Sequence, residues 1–299
     1  MPLIDAHHHL WAPQTPELDV GYVWIKDIGA MKPFGDPTPI QRDYLLDEFL
    51  AEATPDRVTA SVHVQADPKI PDPVAETAFV QKISDDAGHP IMIVGFADLT
   101  SDGFADQLRR HQDYPNLRGI RQIISHLPDR PEISFAPRNF LDDQIWRDNF
   151  ARLSESGLRF DLQLYPEQMH QAADLLAAHP DMPVVIDHLG SPHDSSQQGL
   201  RLWEDGMRAL AALPQVMVKL SGYAMFFGPE LSGPATHVTQ KIIQLFGAER
   251  TMFGSNFPVD SLHLSYPAIL SFLREQIGTD DTAQQQIFGT TAARFYDIA

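Results

Sequence analysis

Eight short runs rich in Val, Ile and Phe recur along the chain, at 3–7, 57–65, 91–97, 117–124, 159–164, 183–188, 215–221 and 250–255. Runs of this length and composition read as strands. Between them lie stretches with apolar residues three and four apart, the spacing of one helix face. These fall at 42–53, 73–87, 102–113, 142–156, 167–178, 200–212, 236–246 and 265–277, and a further helix over about 281–296 closes the chain. Ser101-Asp102 and Pro166-Glu167 supply helix-opening residues for the third and fifth. Such alternation predicts a parallel sheet sheathed by helices. Eight repeats predict closure into an α/β (β/α)8 TIM barrel. An open doubly wound sheet is the alternative, weakened because no Gly-rich phosphate loop follows an early strand.

The 299 residues suit a single barrel domain over 1–299 with a C-terminal closing helix within 281–299. Residues 10–40 form a long stretch bearing Pro and Gly after the first strand. Loops of that length are uncommon unless functional, so this one is expected to lie over the barrel mouth. It carries Trp11, Tyr22, Trp24 and Phe34. Their rings either close over a substrate or pack the loop down as a small core, and both readings stay open.

The net charge of −18 argues against nucleic acid and anionic membranes as partners, because binding there needs clustered Lys and Arg. The partner expected is a small molecule, with homo-oligomerisation left open. No cysteine is present, which excludes disulfides, thiolate metal sites and thiol nucleophiles. With no signal-like N-terminal segment, the expected location is cytoplasmic.

In a barrel of this kind the site lies at the C-terminal strand ends. Those ends carry His7 and His9, His63 and Gln65, Arg118 and Arg121, Gln163, Asp187 and His188, Lys219 and Ser221, and Asn256 with Asp260 four residues on. Side chains alternate along a strand, so His7 and His9 can share a face while His8 points away. The aspartate and apolar residues around "LIDAHHHLW" argue against an expression tag. His63, alone in its strand, reads as a hydrogen-bonded structural residue, and Arg118 as a surface partner of an acid. Lys219, between Val218 and Leu220, is expected to be buried and paired.

The set "IDAHHHLW", "LRGIRQ", "FDLQLYPEQ", "VVIDHLGSP", "VMVKLSGY" and "MFGSNFPVD" resembles the amidohydrolase superfamily. Within it, the chain is most similar to the branch of lactonases for sugar acids and for 2-pyrone-4,6-dicarboxylate. The resemblance runs from residue 4 to about 260 and implies a (β/α)8 barrel. It implies that His7 and His9 are the histidine pair of the first strand and that His188 is the later site histidine. Arg121 would bind a substrate carboxylate or lactone oxygen. Gln163, Lys219, Gln65 and Trp24 are further substrate-binding candidates.

One departure stands out. The family pattern has an aspartate after the eighth strand where this chain has Gly254-Ser255-Asn256-Phe257-Pro258. An amide takes up no proton near neutral pH and is a poorer metal ligand than a carboxylate. Asp260 is the first candidate to replace the missing base and a histidine the second. A site needing no cofactor is the first expectation. The alternative is one Zn²⁺ or other divalent cation on His7, His9 and His188, which would lessen the need for a carboxylate. The function expected is hydrolysis of a small lactone, from a sugar acid or an aromatic-degradation intermediate and carrying a carboxylate. A non-hydrolytic lactone isomerase or lyase and a non-catalytic ligand-binding barrel are the alternatives.

Overall fold

The computed structural model describes residues 3–53 and 57–299; residues 1–2 and 54–56 of the expected domain lie outside it. Eight strands form one sheet in sequence order: β1 (Leu3–His8), β2 (Val58–Val64), β3 (Ile91–Gly95), β4 (Leu117–Arg121), β5 (Arg159–Leu162), β6 (Val184–Ile186), β7 (Val216–Leu220) and β8 (Thr251–Phe253). Every neighbouring pair is parallel. The sheet comes round on itself where His8 bridges to Phe257, with the His9 N–H donating to the Phe257 carbonyl at 2.8 Å. The fold is the (β/α)8 barrel that the strand rhythm predicts.

Helices cover its outside: α1 (Leu46–Glu52), α2 (Pro73–Ala87), α3 (Phe104–His111), α4 (Gln144–Ser154), α5 (Met169–Ala177) and α6 (Gln197–Ala211). They continue with α7 (Tyr223–Phe227), α8 (Pro234–Phe246), α9 (Tyr266–Ile277), α10 (Asp281–Gln285) and α11 (Thr291–Tyr296). Helix starts follow capping chemistry. Asp72, Asp143, Ser196 and Ser265 each accept a backbone N–H from the first turn they open. Among the described residues no helix is long and apolar enough to cross a membrane.

Three local expectations change. Seven of the eight strands are shorter than their apolar runs, because the last residues of those runs leave the ladder to build the loops above it, and β1 runs one residue longer. Helix α7 was not visible as a separate element. The closing helix runs unbroken from Asp281 to Tyr296 but widens into a π turn over Gln286–Thr290, between α10 and α11. That wider turn buries Ile287 and Phe288, and α11 then places Phe295 and Tyr296 against the residues inside the barrel.

Alternation sorts the strand residues into two cores. Ala60, Val62, Val64, Val94, Val185 and Met252 pack inside the barrel. Ile93, Ile120, Phe160, Val184, Ile186 and Val218 pack outward against the helices. His63 lies on the outward face of β2, where its Nδ1 accepts the Leu10 N–H and its Nε2 comes within 3.6 Å of Glu76 on α2. Glu76 is buried, and burial pushes its carboxyl up to about 8. A carboxyl with a raised folded pKa favours the native state most below its unfolded pKa, and that contribution is lost as pH rises through the folded value. Glu76→Gln is therefore expected to gain melting temperature relative to the parent between about pH 5 and pH 8. Thermal melts across that range check this, and a pH-independent difference would contradict it.

Candidate active site

Four strands send charged side chains into the upper barrel and form a closed ionic layer. Lys219 of β7 is fully buried. Its ammonium donates to Asp161 of β5 and lies 3.1 Å from Asp187 Oδ1, just past β6. Arg121, at the end of β4, donates through Nη1 to Asp187 Oδ2 and Gln163 Oε1, both at 3.3 Å, and through Nη2 to the Gln65 carbonyl at 2.5 Å. Tyr296 of α11 gives its hydroxyl to Asp161 from below. Two cations face two carboxylates, so the layer carries no net charge. Burial opposes ionisation of Asp187, but Lys219, His7 and Arg121 hold it well below the ordinary carboxylate range. For Asp161 burial dominates and pushes it up to about 6.

The histidines sit directly above. A register irregularity between Asp5 and His8 resets the alternation of β1. His7 thereby points inward, with Nδ1 3.2 Å from Lys219 Nζ and 3.3 Å from Asp187 Oδ1. His8 turns outward, stacks on Phe49 of α1 and meets Ser61 Oγ at 3.0 Å. His9 lies past the strand end. Its Nδ1 is 2.7 Å from the Val64 carbonyl, so that nitrogen carries the proton and Nε2 is the bare one in the neutral ring. His188 follows β6 with Nδ1 3.1 Å from Ser221 Oγ. Burial holds all three inward rings neutral: His7 is pushed well below its usual range, and His9 and His188 fall to about 3.

Close packing fixes two of these rings. A Cβ on Gly254 would come within 2.6 Å of His7 Cβ, and one on Gly222, where φ is +75°, within 2.8 Å of the His188 ring. His188, Leu189, Ser191 and Asn256 all have positive φ without being glycine. Such strained backbone clusters where surrounding contacts hold it in place.

Asn256 Oδ1 lies 3.3 Å from His9 Nε2, and its Nδ2 donates to Asp260 Oδ1 at 2.8 Å. Asp260 is fully buried, accepts the Ala224 N–H through Oδ2, and is pushed up to about 7 by burial. Asp260 therefore stands behind Asn256.

A cavity of about 530 Å³ opens above this floor. His9, Arg121, Gln163, His188 and Asn256 line it, and Trp11, Trp24 and Phe34 of the 10–40 segment line its upper part. Four expected site residues, Lys219, Gln65, Asp260 and His7, are not on its wall. The first two lie in or beside the ionic layer and the third behind Asn256. Arg121 gives Nη1 to Asp187 and Gln163 and one Nη2 proton to the Gln65 carbonyl, while its Nε is buried without a partner. Arg118 finds the carbonyls of Pro115 and Leu117 instead of an acid. Sequence reasoning named Asp187 at its strand end but gave it no role, and missed Asp161, which stands in the strand "RFDLQL" as an acid among apolar neighbours. That pattern, like the one around Lys219, was the available signal.

The sequence pattern of the family described as "Amidohydrolase" matches residues 4–298. The chain belongs to the amidohydrolase family. It is 28% identical over 308 residues to an L-fucono-1,5-lactonase of Burkholderia multivorans, spanning 99% of this chain and 96% of that enzyme. It is 34% identical over 304 residues to an uncharacterised protein of Sinorhizobium fredii, covering 99% and 98% of the two chains. Among solved structures, an amidohydrolase from Burkholderia multivorans with bound zinc superposes with a TM-score of 0.80 at 27% identity over the full length of both chains.

Within this amidohydrolase, His7, Asp187 and His188 each offer one ligand atom within 4.8 Å of the others. His7 Nε2 is buried without a hydrogen-bond partner, and Asp187 Oδ1 meets Lys219 and His7 only as ion-pair contacts. Imidazole and carboxylate donors suit zinc, so the residues fit one divalent ion. This set has Asp187 in the place expected for His9, whose ring is engaged by Val64 and Asn256. Removing Lys219 would leave two buried carboxylates short of their counter-charge. Lys219→Met is expected to cost about 3–5 kcal/mol of stability, read by urea denaturation. A loss below about 1 kcal/mol, the level of an exposed pair, would contradict the ionic layer.

Proposed function

We propose that this amidohydrolase hydrolyses a small lactone and that His9 is the base. The observation carrying the reading is that His9, His188, Gln163 and Asn256 converge on one cavity floor, with the His9 Nδ1–H given to the Val64 carbonyl and Nε2 left without a proton. The relatives named as lactonases support the substrate class.

Water attacks the ring carbonyl while His9 Nε2 takes its proton, the oxyanion developing beside it offsetting the burial that holds the free ring at about 3. The imidazolium so formed donates to Asn256 Oδ1, which Asp260 holds in that orientation by accepting from Nδ2. His188 and the Gln163 amide face the same space and stabilise the oxyanion that develops on the carbonyl oxygen. The ring C–O bond then breaks, and the leaving oxygen takes the proton from His9. The product is an open-chain hydroxy acid. The negative charge usual beside the base thus stands one residue further back.

A divalent ion, where present, would be held by His7, Asp187 and His188 and would polarise the carbonyl as a Lewis acid. The proton transfers above use only this chain's residues, and the ionic layer balances its own charge. Turnover is therefore expected to survive dialysis against a chelator, with metal content followed by elemental analysis. Abolition by chelation and recovery with zinc would make the ion part of the reaction.

The decisive assay is turnover of a lactone panel in ¹⁸O-labelled water. Label in the product carboxylate is expected, since hydrolysis takes its oxygen from solvent. Turnover without label would favour the isomerase reading, and no turnover with or without added zinc would overturn the lactonase reading. His9→Ala is expected to lower kcat/KM by about 10²–10⁴, the range of a lost general base. Asp260→Asn should lower it less, because it acts through Asn256. Equal losses would place Asp260 at the reacting atoms.

A further inference from the structure

The floor of the cavity is polar, and its wall presents a large aromatic surface. Trp24, Phe34, Phe96, Ile123, Phe135 and Phe140 face the space above the histidines. Trp24 is held with its ring as the exposed surface: its Nε1–H donates to the Ala66 carbonyl at 2.8 Å, and its backbone N–H to Asp67 at 2.9 Å.

Most polar groups on that wall are already engaged: Lys32 pairs with Asp27 and Arg138 with Asp143, while the exposed Lys69 keeps its ammonium over. Asp67 accepts the backbone N–H groups of Val23, Trp24 and Lys69 on its two oxygens. Gln122 accepts from Leu99 and Trp146 and donates to Asp98. Thr100 gives its hydroxyl to Asp98 Oδ1. Ser134 donates to the carbonyls of Leu127 and Arg130. Asp98 keeps Oδ2 over, enough for a single hydroxyl.

A polyhydroxylated ring placed here would leave several hydroxyls desolvated without partners, and each buried unpaired hydroxyl is costly. An apolar ring or aryl group would instead lie against Trp24 and the phenylalanines and gain from burial. Building on the lactonase reading, we propose that the preferred substrate is a lactone whose ring or substituent is apolar, aryl or alkyl, rather than a polyhydroxylated sugar lactone, and that Trp24 sets this preference.

The test compares dihydrocoumarin, an aryl-fused lactone, with D-glucono-1,5-lactone on the full chain. The expected result is a kcat/KM about a hundredfold higher for dihydrocoumarin, at the upper end of what a hydrophobic pocket discriminates. Trp24→Ala should lower kcat/KM for dihydrocoumarin selectively, and Trp24→Phe should restore most of it. An equal loss on both lactones would mean that Trp24 only supports the loop and would overturn its assignment. Equal or better turnover of D-glucono-1,5-lactone would overturn the proposal and leave the lactonase reading standing. If neither lactone is turned over, the lactonase reading fails, and calorimetry with two stable lactams decides the wall. Tighter binding of 3,4-dihydro-2-quinolinone than of D-gluconolactam would support an apolar preference, and the reverse would overturn it.

Discussion

The upper barrel depends on Lys219 being held between Asp161 and Asp187. A lone ammonium with no water around it is not a stable arrangement, nor is a lone carboxylate. Together with Arg121 they form a neutral layer that joins β4, β5, β6 and β7 across the barrel axis. Tyr296 seals it from below, so the C-terminal segment has a part in the site although it lies at the opposite end of the barrel. Because the layer supplies its own cations, the histidines above it stay neutral. A second positive charge on His7 would stand against Lys219, and burial and Lys219 together hold that ring well below its usual range.

That neutrality frames the chemistry. A neutral ring with Nδ1–H committed to Val64 has only one way to act, through Nε2 as an acceptor. Asn256 presents an amide oxygen to it and cannot itself take a proton. Asp260 supplies the carboxylate, screened from the cavity and fixed by Ala224 and Asn256. In the proposed reading, the substitution that looks like the loss of a base in the sequence leaves His9 as the base, with Asn256 and Asp260 orienting it. The position of the proton then rests on hydrogen-bond geometry in a place of low dielectric, where such geometry counts most.

Much of this was legible in one dimension, and the limits have physical causes. The strand rhythm and the polar strand ends are local properties, and they placed the barrel and the residues His9, Arg121, Gln163, His188 and Asn256 at its mouth. Lys219 was legible as buried because an apolar strand offers it no water. Its partners were not, since Asp161 and Asp187 come from strands 58 and 32 residues away and meet it only across the closed sheet. The irregularity in β1 was equally hidden. Strict alternation puts His7 and His9 on one face, but it also puts Asp5 there, whereas Asp5 reaches outward to Tyr266. Asp260 was drawn toward the cavity by its short sequence distance from Asn256. The backbone turn at Asn256, with φ at +58°, sends it behind instead.

The same strain divides labour between parts of the fold. Asn256 is held by its N–H to the His7 carbonyl at 2.7 Å and by the Asp260 N–H to its own carbonyl at 3.1 Å. His188 is held by Ser221 and by the close approach of Gly222. These residues sit on short connections anchored to strands, so the reacting geometry is rigid where precision matters most. The upper wall is different. Trp24 and Phe34 come from a segment with no regular strand or helix around them, tied down chiefly through Asp67 and Gln41. A change in that loop alters what the wall accepts and leaves the ionic layer and its histidines untouched. In the proposed reading, selectivity resides in the first connection of the barrel and the proton chemistry in its strand ends, so that one barrel floor can meet rings of different character.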